Sequence, residues 1–255
     1  MKPLLVGTPW RPPLHWKLGV SIRKRVRRLG RVLGFIDPNT DQHVRYYGAE
    51  FLVKDEGVGA GLILRRFEWG QIQRFLAACK TLRPAAFIDV GANVGTYSCI
   101  VGRSGYTDRI FAFEPDPRNV TELMRQLHLN GLEGRTQVFQ CAAGSKQGEV
   151  HFRLGGCSEG ALSRVMDDGG ITVPTQRLDD AIPVRSSLIA IKIDVEEYEG
   201  EVLKGAVSLL TSNSGYAQIE CNPKHEDAIR ATMAHYGWRF IGQIDEDQLF
   251  EKPLV

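Results

Sequence analysis

The chain has 255 residues, 43% hydrophobic and 24% charged, with a net charge of +2; this excludes a fibrous or disordered chain and fits one large domain with a sizeable core. Cys79, Cys99, Cys141, Cys157 and Cys221 are scattered and form no C-x-x-C pair, which argues against a zinc or disulfide framework and for reduced thiols in the cytoplasm. No apolar run is long enough to span a bilayer, and none leads to a small-residue cleavage site, so no secretory signal is expected.

Charge is unevenly placed, with ten Lys or Arg against two acids in residues 1–46 and 22 against 28 in the remainder. Residues 1–13 are proline-rich and read as irregular. From Leu14 to Leu33, Leu18, Ile22, Val26, Leu29 and Leu33 recur at helical spacing, with Arg23, Lys24, Arg25, Arg27, Arg28 and Arg31 on the other faces. Such a helix suits the anionic inner face of a membrane or nucleic acid; it equally suits a docked helix with a solvated basic face. Residues 1–42 are therefore read as a basic arm and residues 43–255 as the main domain.

Residues 43–66 predict short strands turned at Gly48 and Gly57. A helix is expected over Glu68–Lys80, a strand over Ala85–Val90 and a helix from Val94 to Arg103. A strand follows at Ile110–Phe113, then a helix from Pro117, where proline suits a first turn, to Asn130-Gly131. The next strand covers Gln137–Ala142. Glu149–Leu154 and Ile171–Leu178 alternate like antiparallel or edge strands around a glycine-rich loop. A strand at Leu188–Ile193 precedes a helix over Glu197–Leu210, and a strand at Ala217–Cys221 precedes a helix over Asp227–Tyr236. Trp238–Ile244 and Gln248–Lys252 form a closing hairpin. Strands alternating with helices give an α/β fold, a doubly wound and mostly parallel sheet with helices on both faces and an antiparallel addition at the end.

Two stretches carry the chemistry. FIDVGANVGTYS, Phe87 to Ser98, is a buried strand ending near Asp89, a tight turn with Gly91 and Gly95, and a helix start. FAFEPDP, Phe111 to Pro117, is a second strand ending in the acid Glu114. A glycine turn lets a ligand approach the backbone, and an acid at the next strand end accepts hydrogen bonds from ribose hydroxyls. The G-x-G-x-x-G of a dinucleotide site is not met, because Asn93 and Thr96 stand where two glycines belong. Asp89 in the mouth of the turn would also repel a pyrophosphate. S-adenosylmethionine has a ribose, an ammonium and a sulfonium but no phosphate, and it is the cofactor this pattern favours.

At the carboxyl ends of a doubly wound sheet, Asp89, Glu114, Cys141-Ala142, Asp194 and Glu220 should ring one crevice. Asp89 and the amides around Gly91, Asn93 and Gly95 would hold the methionine end, Glu114 the ribose with Asp116 supporting the turn, and Cys141-Ala142 would border the adenine. A hydroxyl acceptor needs a base or a metal. Asp194 is the best-placed candidate, with Glu197 and His225 as further catalytic candidates. Asp194 and Glu220, joined by Glu197, could hold a divalent ion through oxygen. Glutamates opening a helix are also favoured by the helix dipole alone, so a metal is an option rather than the expectation. Lys192 lies inside an apolar strand and needs a buried partner, for which Glu220 on the neighbouring strand is suited.

These blocks make the chain resemble the FkbM family of class I methyltransferases over residues 45–250. FIDVGANVGTYS is similar to the family's first cofactor motif and FAFEPDPRNVTELMRQLHLNG to its second strand and helix. RLDDAIP followed by IAIKIDVEEYEGEVLKGA is similar to its signature around the fourth strand. The family's glycine after V-E is replaced here by Glu197. The resemblance implies a Rossmann-like seven-stranded sheet and S-adenosylmethionine-dependent O-methylation of a hydroxyl, with sugars of glycans, glycolipids or nodulation factors as the acceptor class. Two other readings stay open: a nucleic-acid methyltransferase using the basic arm, and a non-catalytic cofactor-binding protein. The first is disfavoured, because DVEEYE replaces the Asn/Asp-Pro-Pro-aromatic pattern of base methylation and the acids would repel phosphates.

Overall fold

The computed structural model describes residues 40–54, 57–63, 65–155 and 164–254. The expected helix of the basic arm, Cys157 and the middle of the glycine-rich loop lie outside the described residues.

The domain opens with a hairpin, β1 (Gln42–Tyr46) and β2 (Ala49–Val53), followed by α1 (Gly57–Ile63) and α2 (Trp69–Leu82). The winding proper is β3 (Ala86–Val90), α3 (Thr96–Ser104), β4 (Ile110–Phe113), α4 (Pro117–Leu129) and β5 (Thr136–Phe139). Next come β6 (Ala142–Ala143), β7 (Gly148–Arg153), β8 (Arg164–Met166), β9 (Ile171–Gln176) and the short α5 (Leu178–Ala181). The chain finishes through β10 (Leu188–Ile193), α6 (Glu199–Lys204), α7 (Val207–Ser212), β11 (Ser214–Glu220), α8 (Glu226–His235), β12 (Arg239–Ile244) and β13 (Asp247–Lys252).

Seven strands form the main sheet in the order β12-β13-β11-β10-β3-β4-β5. The five from β11 to β5 are parallel, and the β12–β13 hairpin runs antiparallel onto β11. The expected doubly wound sheet with a closing hairpin is therefore present. Its central strands are continuous apolar runs because both faces are covered: AFIDV of β3 is buried throughout. One face packs Phe75, Phe87, Tyr97, Leu123 and Tyr216, and the other packs Ile191, Leu203, Met233, Trp238 and Phe250. Each such side chain contributes about 1.5–3 kcal/mol by leaving water. From β3 the chain winds outward through β4 and β5, then returns to β10 on the other side. Neighbouring loops at the ends of β3 and β10 thus diverge, and a crevice opens between them.

Among the differences from the sequence reading, four bear on how the site is positioned. Residues 57–63 are helical rather than a strand; burial of Leu62 against the hairpin decides a segment whose glycines favour neither form. The strand expected over Gln137–Ala142 stops at Phe139, and Ala142 pairs instead with Thr175 of β9. It belongs to a second, four-stranded sheet in the order β6-β9-β7-β8. The helix expected over Glu197–Leu210 is two helices, because a Cβ on Gly205 would lie 1.9 Å from the Gly144 carbonyl, so the chain bends where a loop crosses it. The helix expected from Val94 begins at Thr96, after Gly95 in the left-handed region.

The start of α4 shows how the sequence positions the site. Asp116 caps it, accepting from the Arg118 amide at 2.9 Å, with proline at the first helical position. Farther along, Gln126 and Asn130 bond the backbone of Leu52 and Glu50, which clamps the opening hairpin to the helix.

Candidate active site

A crevice lies over the ends of β3, β4 and β10, where a doubly wound sheet places its ligand. Its floor is the turn after β3. Gly91, at φ 83°, lets the two diverging loops touch; a Cβ there would sit 1.8 Å from the Asp194 carbonyl oxygen. The amides of Gly91 and Ala92 both donate to the Phe113 carbonyl at 2.9 Å, which ties this turn to the end of β4. Asn93 takes a left-handed conformation at φ 49°, which asparagine tolerates, and its amide donates to Glu114 Oε2 at 2.7 Å.

Glu114 is 4% exposed. It also accepts from the Asp116 amide at 2.9 Å and from Asn119 Nδ2 at 3.4 Å. Burial pushes its pKa up to about 7 against those stabilising bonds. Each carboxylate oxygen offers two lone pairs, so the group retains capacity toward the crevice. Phe113, whose ring stacks on Phe139 with centroids 4.4 Å apart, lines the crevice together with the apolar Cys141, Ala142, Phe152 and Val165. The second sheet supplies Ala142, Phe152 and Val165.

Asp194 and Glu196 are shared with a second, acid-lined cavity that also takes in Glu197, Glu199, Glu220, Glu246, Arg153 and Arg164. Behind Asp194 lies a buried charge cluster. Lys192, 1% exposed, is 2.9 Å from Asp247 Oδ1, 3.3 Å from Glu220 Oε2 and 3.7 Å from Asp194 Oδ2. Although burial opposes its charge, these carboxylates hold its pKa well above the ordinary lysine value. Glu68 completes the group; it caps α2 in a left-handed conformation and accepts from Tyr97 Oη at 2.8 Å. Burial raises Glu68 to about 7. Burial and then Asp194 raise Glu196 to about 7 and Glu220 to about 8. Glu68, Asp194 and Glu220 each offer a carboxylate oxygen within 4.8 Å of the others. That spacing is compatible with a divalent ion, but Lys192 already neutralises part of the charge.

The sequence-derived residues divide accordingly. Gly91, Asn93, Glu114, Cys141, Ala142 and Asp194 line the first crevice, and Glu197 and Glu220 line the second cavity. Asp89 does not line the crevice: it is 2% exposed, accepts from Ser98 Oγ at 2.6 Å and is raised by burial to about 6. Its place is behind the turn, because its side chain leaves the strand on the face covered by α3. Gly95 is not a wall residue either; a Cβ there would meet Leu123 Cδ1 at 2.5 Å, so it permits close helix packing. Asp116 is a buried cap bound to Arg118. His225 ends a short 3₁₀ turn, Pro223–His225, and lines neither cavity. Glu197 sits at φ 74°, where glycine is favoured, and its carboxylate is paired with Lys224 at 2.8 Å, which lowers its pKa.

The Lys192–Glu220 contact expected from the sequence is present, but Asp247 is the nearer partner. Glu68, Asp247, Asn119 and Tyr198 were not foreseen. For Asp247 a signal existed: antiparallel pairing sets it opposite Glu220, one strand from a lysine that needs compensation. Among the described residues no helix is long and apolar enough to cross a membrane.

The family model described as the methyltransferase FkbM domain matches residues 89–240. The hexuronic acid methyltransferase AglP of Haloferax volcanii is 30% identical over 128 residues, 49% of this chain and 51% of that protein. The chain thus spans about half the length of the curated relative it matches. Among solved structures, methyltransferase FkbM from Methylobacillus flagellatus is 18% identical, with a TM-score of 0.48, over 74% of this chain and 52% of that one. M. jannaschii TYW2 in complex with AdoMet is 10% identical, with a TM-score of 0.47, over 86% and 89%.

Proposed function

Because this chain belongs to the FkbM methyltransferase family, we propose that it transfers the methyl group of S-adenosylmethionine to a hydroxyl oxygen of a sugar residue. One observation carries the reading: a single crevice runs from the ribose-competent Glu114 past the Gly91 turn to Asp194, which opens onto a second cavity. The similarity to a hexuronic acid methyltransferase supports a sugar acceptor. In this reading Glu114 takes ribose hydroxyls, the Gly91 turn borders the methionine end while its own amides stay engaged with Phe113 and Glu114, and Cys141, Ala142, Phe152 and Val165 border the adenine.

The acceptor hydroxyl enters from the acidic cavity. Bound S-adenosylmethionine would supply the electrophilic methyl group, and Asp194 would accept the proton that the hydroxyl loses as its oxygen takes the methyl. Alignment supplies much of the rate, since the sulfonium is already a good electrophile. The test is incubation with labelled S-adenosylmethionine and a panel of glycans, with the product mass and position determined. Asp194→Asn should lower turnover by about 10²–10⁴-fold, the worth of general-base assistance, while leaving cofactor affinity nearly unchanged. Unchanged turnover in a folded variant removes Asp194 from the mechanism.

The basic segment of residues 1–42 fits contact with an anionic membrane face where a lipid-linked acceptor would reside. Deleting residues 1–34 should weaken binding to anionic vesicles by about 1 kcal/mol per basic residue at the surface. Equal vesicle binding by both forms rejects that role.

A further inference from the structure

Strands β7 and β8 pair antiparallel, with Arg153 directly opposite Arg164. Directly opposed residues project from the same face of a sheet, and two like charges so placed destabilise the pair. Such an arrangement persists where something else compensates it. Both side chains line the cavity that contains Asp194. Arg164 Nη1 is 3.7 Å from Glu197 Oε2, and its side chain remains 45% exposed. Among the described residues no ion-pair partner is found for Arg153.

The cavity is therefore polarised. Its wall at the ends of the main sheet carries Asp194, Glu196, Glu197, Glu199, Glu220 and Glu246, of which Glu197 contacts Arg164, and its wall on the second sheet carries the two arginines. Carboxylates bind sugar hydroxyls, which are hydrogen-bond donors. They would repel an acidic sugar unless a cationic group offset them, and paired guanidiniums match the geometry of a carboxylate.

We propose that Arg153 and Arg164 form a carboxylate-binding subsite, and that the sugar presented to Asp194 is a uronic acid residue. This rests on the reading of the Asp194 cavity as the acceptor site of a sugar methyltransferase.

The test uses the full chain and matched oligosaccharides ending in a uronic acid or in the corresponding neutral sugar, with gluco, galacto and manno configurations. For the preferred configuration, kcat/KM for the uronide should exceed that for its neutral counterpart by roughly 10–100-fold, as for a site built around a charged hydrogen bond. Arg153→Ala and Arg164→Ala should collapse that ratio, chiefly through KM for the uronide. Arg153→Lys should restore part of it, since a point charge lacks the fork. Calorimetry with S-adenosylmethionine and thermal melting verify that each variant is folded and binds cofactor. Equal use of acidic and neutral acceptors by the wild type, or an unaltered ratio in the variants, overturns the subsite and leaves the sugar methyltransferase reading standing. Methylation of no sugar by protein that binds the cofactor overturns both.

Discussion

At the end of β4, one buried carboxylate, Glu114, is held by two backbone amides and an asparagine side chain. At the ends of β10 and β11, four carboxylates gather around one ammonium, Lys192. The two regions are adjacent and share Asp194 on their common border, yet they compensate buried charge differently. Backbone amides are fixed in place by the turn and do not titrate, so the Glu114 region is built before any ligand arrives. A single lysine among several acids leaves excess negative charge, and protons supply the remainder. The first region suits holding a molecule of fixed shape; the second suits accepting a proton.

The largest test of that contrast is Lys192→Met. Removing the shared cation leaves Asp247, 1% exposed, with an uncompensated charge, and breaking a buried pair this way costs about 3–5 kcal/mol. Urea unfolding should register this loss, and the additional change Asp247→Leu should recover part of it. A loss under about 1 kcal/mol, the size of an exposed pair, would mean the cluster is not organised around Lys192. Next in size is Glu114→Ala, which should weaken S-adenosylmethionine binding by about 1.5–3 kcal/mol, as for hydrogen bonds to a charged group, with NAD binding absent in both proteins. Calorimetry showing equal cofactor affinity would remove Glu114 from the site.

A third test is the dependence of stability on pH. Burial lifts Glu220 from 4.5 to about 8, so the folded state holds its proton more tightly than the unfolded state. Such a group contributes stability that is complete below pH 4.5 and is lost as pH rises through about 8. Wild-type stability should therefore fall between pH 5 and 8 by more than that of Glu220→Gln, when urea midpoints are compared across the range. Parallel curves for the two proteins would place no raised carboxyl at residue 220.

Legibility in the sequence follows the same division. Asp89, Gly91 and Asn93 lie within one strand and its turn, and Glu114 ends the next strand, so short apolar runs and turn residues located them. Direction was less legible. Asp89 faces Ser98 rather than the crevice, and Gly95 serves the packing of Leu123, because which way a side chain leaves a turn depends on what covers that face. Asp194 and Glu220 were visible as acids ending strands, whereas Glu68 and Asp247 come from opposite ends of the domain and meet only when α2 and the closing hairpin dock. His225 shows the reverse case, a residue near the site in sequence whose backbone turn carries it away from both cavities.

By itself, the sequence determined the doubly wound sheet and the crevice residues Gly91, Asn93 and Glu114 at the ends of β3 and β4, since buried parallel strands and glycine turns are written in consecutive residues. The tertiary structure decided how the acidic cavity beyond Asp194 is assembled. The bend at Gly205, the departure of Ala142 into a second sheet, the opposition of Arg153 to Arg164 and the gathering of acids around Lys192 depend on strand register and on which faces are buried. Those are set by packing between segments far apart in the chain, and no local pattern encodes them.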